Sequence, residues 1–238
     1  MVSDWIADDW FKLLRNINGQ FKQSYGNTQM MLTIEQLSEL IPAASDKNTE
    51  LFHRPINETL REYRIDNRLR IAAFLAQIAH ESGSLRYTRE IWGPTDAQRR
   101  YDLPHKKATE LGNDTKEAIA IADIYDMTPG RFFSGHGAIQ LTGYINHVKA
   151  SKVLGIDCVN NPSLLCEPKW AMRSAGWFWV AHGKDGLNCN ELADRYRITD
   201  ITRCINGGVN GLAERKKMYE HNLRYLPDID YRQLEADY

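Results

Sequence analysis

The sequence predicts a mainly α-helical domain with a central buried helix and at most a small hairpin. Three observations predict it. Apolar residues recur at helical spacing along much of the chain, as in Ile71, Phe74, Leu75 and Ile78. Helix-start and helix-stop residues bracket several of these stripes. Strict two-residue alternation, the mark of a half-buried strand, is sparse.

The elements follow in order. In residues 1–30, Ile6, Trp10, Leu13, Leu14, Ile17 and Phe21 share one helical face behind Ser3, a candidate cap. Asn18-Gly19 weakens that helix, and Gly26-Asn27 reads as a linker. Its polar face carries Asp4, Asp8 and Asp9, which disfavours anionic lipid. Residues 1–30 are therefore read as an amphipathic extension and linker. The helix either docks on the main domain or is a membrane-interacting or partner-binding helix. Residues 31–238 are the main domain.

There, Thr33-Ile-Glu-Gln36 has the form of a capping box. A second helix is expected over about 47–63 and a third over 67–82. Asp114 is expected to cap a helix running to about Tyr125. The Gly-rich run Thr128–Gly143 breaks the helical pattern. Pro168 suits the first turn of a further helix, and Gly183 follows its end. Trp170, Trp177, Phe178 and Trp179 lie nearly all round that helix, which makes it the expected buried centre. Leu212, Tyr219, Leu223 and Leu226 mark a last amphipathic helix.

The chain has 238 residues, 42% of them hydrophobic, which suits one mid-sized domain with a small appendage. A net charge of −1 leaves no basic excess for nucleic acid. Six Trp and eleven Tyr suit a core, and they also suit a carbohydrate groove. No apolar run reaches the length of a membrane span, so stable membrane insertion is not expected. The N-terminus lacks the charged-then-apolar pattern of a secretory signal. The expectation is synthesis in the cytoplasm, with delivery to any external substrate by another agent.

Cys158, Cys166, Cys189 and Cys204 include no CxxC spacing, which argues against a zinc ribbon or a thioredoxin-type motif. Free thiols are expected, with Cys158 and Cys166 able to pair in an oxidising compartment. His80-Glu81 does not extend to HExxH, because Ser84 stands four residues after His80. His136, His147 and His182 are scattered. No metal or other cofactor is expected.

Glu81 is the most informative residue. Phe74, Ile78 and Glu81 continue one stripe, so a carboxylate is aimed along an apolar face just before Gly83. Desolvation there favours the protonated form, which a general acid needs. A buried Glu paired with an Arg is the alternative. Glu90 follows nine residues later, beyond Ser82-Gly83-Ser84. A Gly/Ser turn can fold the chain back and bring both carboxylates to one cleft. Two carboxyl groups about 6.5–9.5 Å apart leave room for a water and give inversion at a glycosidic bond.

These residues carry a resemblance. Ile71–Gly83, reading IAAFLAQIAHESG, resembles the acid-bearing helix of family 19 glycoside hydrolases, the plant-type chitinases and their phage endolysin relatives. Phe132–His147, Asn161–Leu165 with Trp177–Trp179, and Thr202–Arg215 resemble further blocks of that family, in the family's order. The resemblance runs from about residue 31 to 226 and implies a lysozyme-like helical domain. By position it makes Glu81 the general acid and Glu90 the general base, their short interval being similar to the endolysin branch. It places Thr142 where a hydroxyl helps hold the attacking water. Gln140, Asn146 and Asn206 match amides that bond the sugars or order the site, and Arg215 matches an arginine in the acid's charge network. Phe133 and His136 stand where relatives carry a tyrosine and a basic residue, and join the expected sugar-binding set.

The expected function is thus an inverting, monomeric, endolysin-type hydrolase of peptidoglycan, acting at the cell wall or periplasm after release. A chitinase is the nearest alternative. A lytic transglycosylase, which needs one carboxylate and no water, and a non-catalytic sugar-binding module are the others.

Overall fold

The structure is a computed structural model and describes residues 31–227. The expectations for the extension, with its Ser3 cap and apolar stripe, lie outside the described residues. Twelve α-helices lie within the described residues, here numbered in chain order. The first three are α1 (Ile34–Leu40), α2 (Asp46–Glu62) and α3 (Arg68–Glu81). Four short helices follow: α4 (Asp96–Arg99), α5 (Lys106–Leu111), α6 (Lys116–Ile124) and α7 (Pro129–Phe132). Then come α8 (Tyr144–Leu154), a 3₁₀ turn (Pro162–Cys166) and α9 (Pro168–Ala181). A two-stranded antiparallel hairpin, β1 (Gly183–Lys184) and β2 (Leu187–Asn188), precedes α10 (Cys189–Asp194), α11 (Ile198–Asn206) and α12 (Leu212–Tyr225). The mainly α class with one small hairpin is as the sequence predicts.

Local signals explain most boundaries. Thr33 and Gln36 form the reciprocal capping box that starts α1. Asn67 caps α3 through its side chain, which accepts from Arg70 N. Pro168 occupies the first turn of α9, where no N–H is required. One cap differs from expectation. Thr115, not Asp114, caps α6 by accepting from Ala118 N, while Asp114 accepts from the Thr109 hydroxyl at 2.7 Å.

Two helices share the centre. Along α3 every residue from Ile71 to Ala79 is buried. The expected central helix, α9, buries Trp177 and Trp179 but leaves Trp170 and Phe178 half-exposed. Phe74 of α3 meets Trp179 of α9 edge to face, with ring centroids 5.4 Å apart. Gly176 lets α9 approach α2 closely, since a Cβ there would fall 2.3 Å from the Tyr63 ring and 2.6 Å from Thr59 Cγ2. A smaller cluster of Ala118, Ala122, Phe132 and Phe133 packs under the Gly-rich run. α3 thus carries its C-terminal residue, Glu81, to the edge of the main core on a rigid support.

Candidate active site

Glu81 ends α3, and Gln77 lies one turn earlier on the same face. Arg215, from α12, donates to both: one Nη to the Glu81 carboxylate and the other to Gln77 Oε1. Its Nε donates to Asn210 O at 3.3 Å. Gln77 passes the chain on through its Nε2, which donates to Thr202 Oγ1 at 3.3 Å. The Thr202 hydroxyl donates to Ile198 O at 2.9 Å. Gln77, Thr202 and Arg215 are all buried. A buried guanidinium is tolerable only when paired and hydrogen-bonded, and this frame gives each of its three nitrogens an acceptor. The planar fork of Arg suits three acceptors at fixed angles.

The chain reverses directly after Glu81. Ser82 Oγ donates to Ile78 O at 2.6 Å and accepts from Leu85 N at 2.8 Å. Gly83, Ser84 and Leu85 are consecutively left-handed, with φ of 56°, 60° and 65°. Such residues cost about 1–3 kcal/mol each without a glycine, so the surroundings must hold them. Burial of Leu85 and the bonds from Arg86 N and Tyr87 N to Ser82 O, at 3.0 and 2.8 Å, do so.

Residues 87–90 then pair with the Gly-rich segment. Gly137 N donates to Thr88 O at 2.8 Å, and Glu90 N donates to Gly135 O at 2.8 Å. Antiparallel bridges join Arg89 to His136 and His136 to Leu141. The Glu90 carboxylate is held by three donors: Gly135 N at 2.9 Å, Gln98 Nε2 at 2.9 Å and Tyr101 OH at 3.5 Å. Burial, and then the Glu90 charge, push the Tyr101 phenol up to about 12, so it stays a donor. Gly135 fits closely between its neighbours: a Cβ there would lie 2.6 Å from Gln140 Oε1 and 3.3 Å from Glu90 Cβ.

Gln140, Thr142 and Asn146 form a connected group beside this segment. The Thr142 hydroxyl donates to Gln140 O at 2.9 Å, and Asn146 Nδ2 donates to Thr142 O at 2.8 Å. All three are half-buried. Asn206 belongs to the Glu81 side. Its Nδ2 donates to Asn210 O at 2.9 Å, the carbonyl that also accepts from Arg215, and its Oδ1 accepts from Gly208 N at 2.8 Å. The site therefore has two braced halves, one around Glu81 and one around Glu90, joined by residues 82–89.

Two expected sugar-binding residues are corrected. Phe133 and His136 are both 0% exposed, so neither offers a surface to a sugar. Phe133 packs against Phe132, Tyr144 and His147, with ring centroids 4.8, 5.3 and 5.3 Å away. His136 donates through Nδ1 to Ser134 O at 2.6 Å and meets the His147 ring edge to face. Burial pushes His136 down to about 3 and His147 down to about 4, so both are neutral. They are structural supports of the Glu90 segment.

Sequence reasoning missed Gln77, Ser82, Gln98 and Tyr101. Gln77 had a signal, since it stands four residues before Glu81 on one helix face. Gln98 had only a capping-box spacing after Thr95, and that box is present. Its second role on Glu90 arises from the loop closing on itself. Among the described residues no cluster of three or more His, Cys, Asp or Glu side chains could hold a metal ion.

Residues 62–211, more than half of the chain, match glycoside hydrolase family 19, described as chitinase class I. The chain belongs to that family. An endochitinase of Arabidopsis thaliana is 34% identical over 139 residues, which are 58% of this chain and 39% of that protein. The chain thus spans about two-fifths of that plant relative. A glycosyl hydrolase family 19 domain-containing protein of Haemophilus influenzae is 28% identical over 211 residues, 80% of this chain and 94% of its own. Chitinase C of Streptomyces griseus has the same fold, with a TM-score of 0.63 at 19% identity, over 87% of this chain and 81% of that one. The lysozyme-like, mainly α fold expected from the family resemblance is the fold of this family 19 chain.

Proposed function

We propose that this family 19 chain hydrolyses β-1,4 bonds between acetylated amino sugars, with bacterial peptidoglycan as its substrate. The observation that carries the reading is the separate bracing of two carboxylates, Glu81 by Arg215 and Glu90 by Gly135, Gln98 and Tyr101. Two fixed carboxyl groups are what an inverting glycosidase requires. Glu81 protonates the departing glycosidic oxygen. Glu90 takes a proton from a water as that water attacks the anomeric carbon from the opposite face. The products are a free 4-hydroxyl on one sugar and an α-configured reducing end on the other. Thr142 helps seat the water, and Gln140, Asn146 and Asn206 offer amides that both donate to and accept from sugar groups.

Peptidoglycan is favoured by the nine-residue interval between the carboxylates, similar to the endolysin branch. In this reading the protein is a monomer made in the cytoplasm and acts at the wall after release. Chitin is the second reading, because the Arabidopsis relative and others in cotton are endochitinases.

One experiment tests the substrate and the reaction: digestion of purified peptidoglycan and of chitin oligomers, with mass and early NMR analysis of the products. Hydrated fragments from peptidoglycan with α-anomer first support the proposal. Cleavage of chitin alone moves the substrate to the second reading. Products lighter by one water, about 18 Da, would mark a transglycosylase and remove Glu90 as base. A β-anomer formed first would mean retention and would end the inverting assignment.

A further inference from the structure

Helix α8 starts without a cap of its own. Its N-cap is Gly143, which has no side chain to accept from the first-turn N–H groups. The Tyr144 N–H is met from elsewhere. It donates to Asn113 Oδ1 at 3.0 Å, across 31 residues of sequence. The same amide donates through Nδ2 to Tyr101 O at 2.9 Å. A main-chain N–H only donates and a carbonyl only accepts, so the amide fits one way round. Asn113 follows Gly112, the C-cap of α5, and its own N–H donates to Ala108 O at 2.9 Å. It is buried, with 3% exposure.

Each partner of Asn113 leads to a different part of the site. Tyr101 N donates to Gln98 O at 2.9 Å, so Tyr101 closes the turn that ends α4. That turn carries two donors to Glu90, Gln98 Nε2 at 2.9 Å and Tyr101 OH at 3.5 Å. Tyr144 stands two residues after Thr142, and Asn146 on the same helix donates to Thr142 O at 2.8 Å. The segments around Asn113 and Tyr144 are pressed together. A Cβ on Gly112 would lie 2.5 Å from Ile145 Cγ1, and one on Gly143 would lie 2.7 Å from Leu111 Cβ. Asp102 fixes the far flank of the turn, accepting from the Thr128 hydroxyl at 2.7 Å and from Gly130 N at 2.6 Å.

Resting on the reading of Glu90 as the base, we propose that Asn113 is a positioning residue for hydrolysis. Its amide joins the turn that holds Glu90 to the start of α8, and so sets the base against Thr142 and Asn146, where the attacking water is seated. Asn113 is buried and acts through Tyr101 and Tyr144, not on the sugar. Aspartate has nearly the same shape and keeps an acceptor for Tyr144 N. It lacks the donor, and it sets a carboxylate oxygen against Tyr101 O.

The test is kinetic and uses the full chain. Wild type, Asn113→Asp, Glu90→Gln and the double variant are assayed on soluble peptidoglycan fragments and on chitin hexamers. Asn113→Asp is expected to lose at least about tenfold in kcat, because displacements of about 1 Å are felt strongly in catalysis. Its KM should stay within about threefold of wild type. In Glu90→Gln, which lacks the base, the same substitution should cost less than about twofold more. A merely structural defect would lower both backgrounds alike. Asn113→Ala, which adds no buried charge, should repeat the pattern and serves where Asn113→Asp does not fold. Amide exchange of the wild type checks the clamp without any substitution. The Tyr144 N–H, although in a first turn, should exchange as slowly as the N–H groups inside α8. Wild-type kcat in Asn113→Asp, an equal loss in both backgrounds, or fast exchange at Tyr144 would overturn the proposal while leaving Glu90 as base. Full activity of Glu90→Gln, or no cleavage by wild type, would overturn the Glu90 reading and the proposal with it.

Discussion

Arg215 and Glu81 are bonded side chain to side chain across 134 residues of sequence. The guanidinium is 2% exposed at its side chain and the carboxylate 16%, so the pair sits at the rim of the core. Removing one partner of such a pair strands the other, at a cost of about 3 kcal/mol or more. Arg215→Met is therefore expected to lower the melting temperature and to abolish hydrolysis. Arg215→Lys is the sharper test. It keeps the charge, but one ammonium cannot serve Glu81, Gln77 Oε1 and Asn210 O in the geometry of the fork. A loss of at least tenfold in kcat on defined amino-sugar oligomers is expected, with most of the stability retained. Wild-type kcat in Arg215→Lys would show that positive charge, and not the three-acceptor frame, is what Glu81 requires.

Glu81→Gln separates chemistry from support. The amide oxygen can still accept from Arg215, so the fold should hold, with a lower melting temperature because the buried guanidinium loses its counter-charge. It cannot deliver a proton to the leaving oxygen. General acid catalysis contributes about 10²–10⁴-fold, and a drop of that size is expected. Turnover by Glu81→Gln equal to wild type would take Glu81 out of the mechanism.

The Glu90 half is tested from the backbone. In Gly135→Ala the new methyl must displace Gln140 Oε1, 2.6 Å away, or push on Glu90 Cβ, 3.3 Å away. The push on Glu90 Cβ shifts the carboxylate away from the Gly135 N–H that holds it. Overpacking of this kind typically costs about 1–3 kcal/mol, so the variant should fold. Its kcat should fall by more than about tenfold, because displacements of about 1 Å are felt strongly in catalysis. A variant with unchanged kcat would show that the Gly135 contact does not position the base.

How far the sequence reveals this site depends on the range of the forces involved. Local signals read well. Helix α3 ends within one residue of expectation, because Asn67 and Gly83 act on their own neighbours. Helix α9 likewise begins at Pro168. The cap of α6 differs from expectation because Asp114 and Thr115 are both capable, and a contact with Thr109 decides between them. The burial of Phe133 and His136 is not legible in the sequence. A glycine-rich run carries no periodicity to say which side chains turn inward, and alignment by family position points to a cleft. The aromatic neighbours of Phe133 are Phe132 inside the run and Tyr144 and His147 after it. Gln77 can be found by helix geometry. Gln98 cannot, because its bond to Glu90 exists only once residues 90–98 have closed into a loop.

The buried histidines give the fold an acid limit. His136 and His147 are lowered chiefly by burial, to about 3 and about 4, from 6.5. The His147 charge and Arg89 also lower His136, and the bond to Ser134 O opposes them. Both rings are neutral in the folded chain and protonate near pH 6.5 when it unfolds. The unfolded state thus binds more protons below pH 6.5. Their contribution is whole above that pH, declines as pH falls toward 4, and is gone below the folded values. A tenfold difference in proton affinity between the two states is worth about 1.4 kcal/mol, so acidification through this window removes on the order of 3 kcal/mol or more of stability. Burial also lowers His80 and His182, so wild-type behaviour alone does not isolate the pair. The measurement is melting temperature from pH 7.5 to 4.5 for wild type and for His136→Asn with His147→Asn, in which Asn Nδ2 can replace the Nδ1 donors to Ser134 O and Gly143 O. The double variant should lose less stability than wild type on acidification. Because His136 bridges to Arg89, hydrolytic activity of wild type should fail over the same range in which the melting temperature drops. Parallel melting curves for the two proteins would show that the pair does not titrate on unfolding and that the acid limit lies elsewhere.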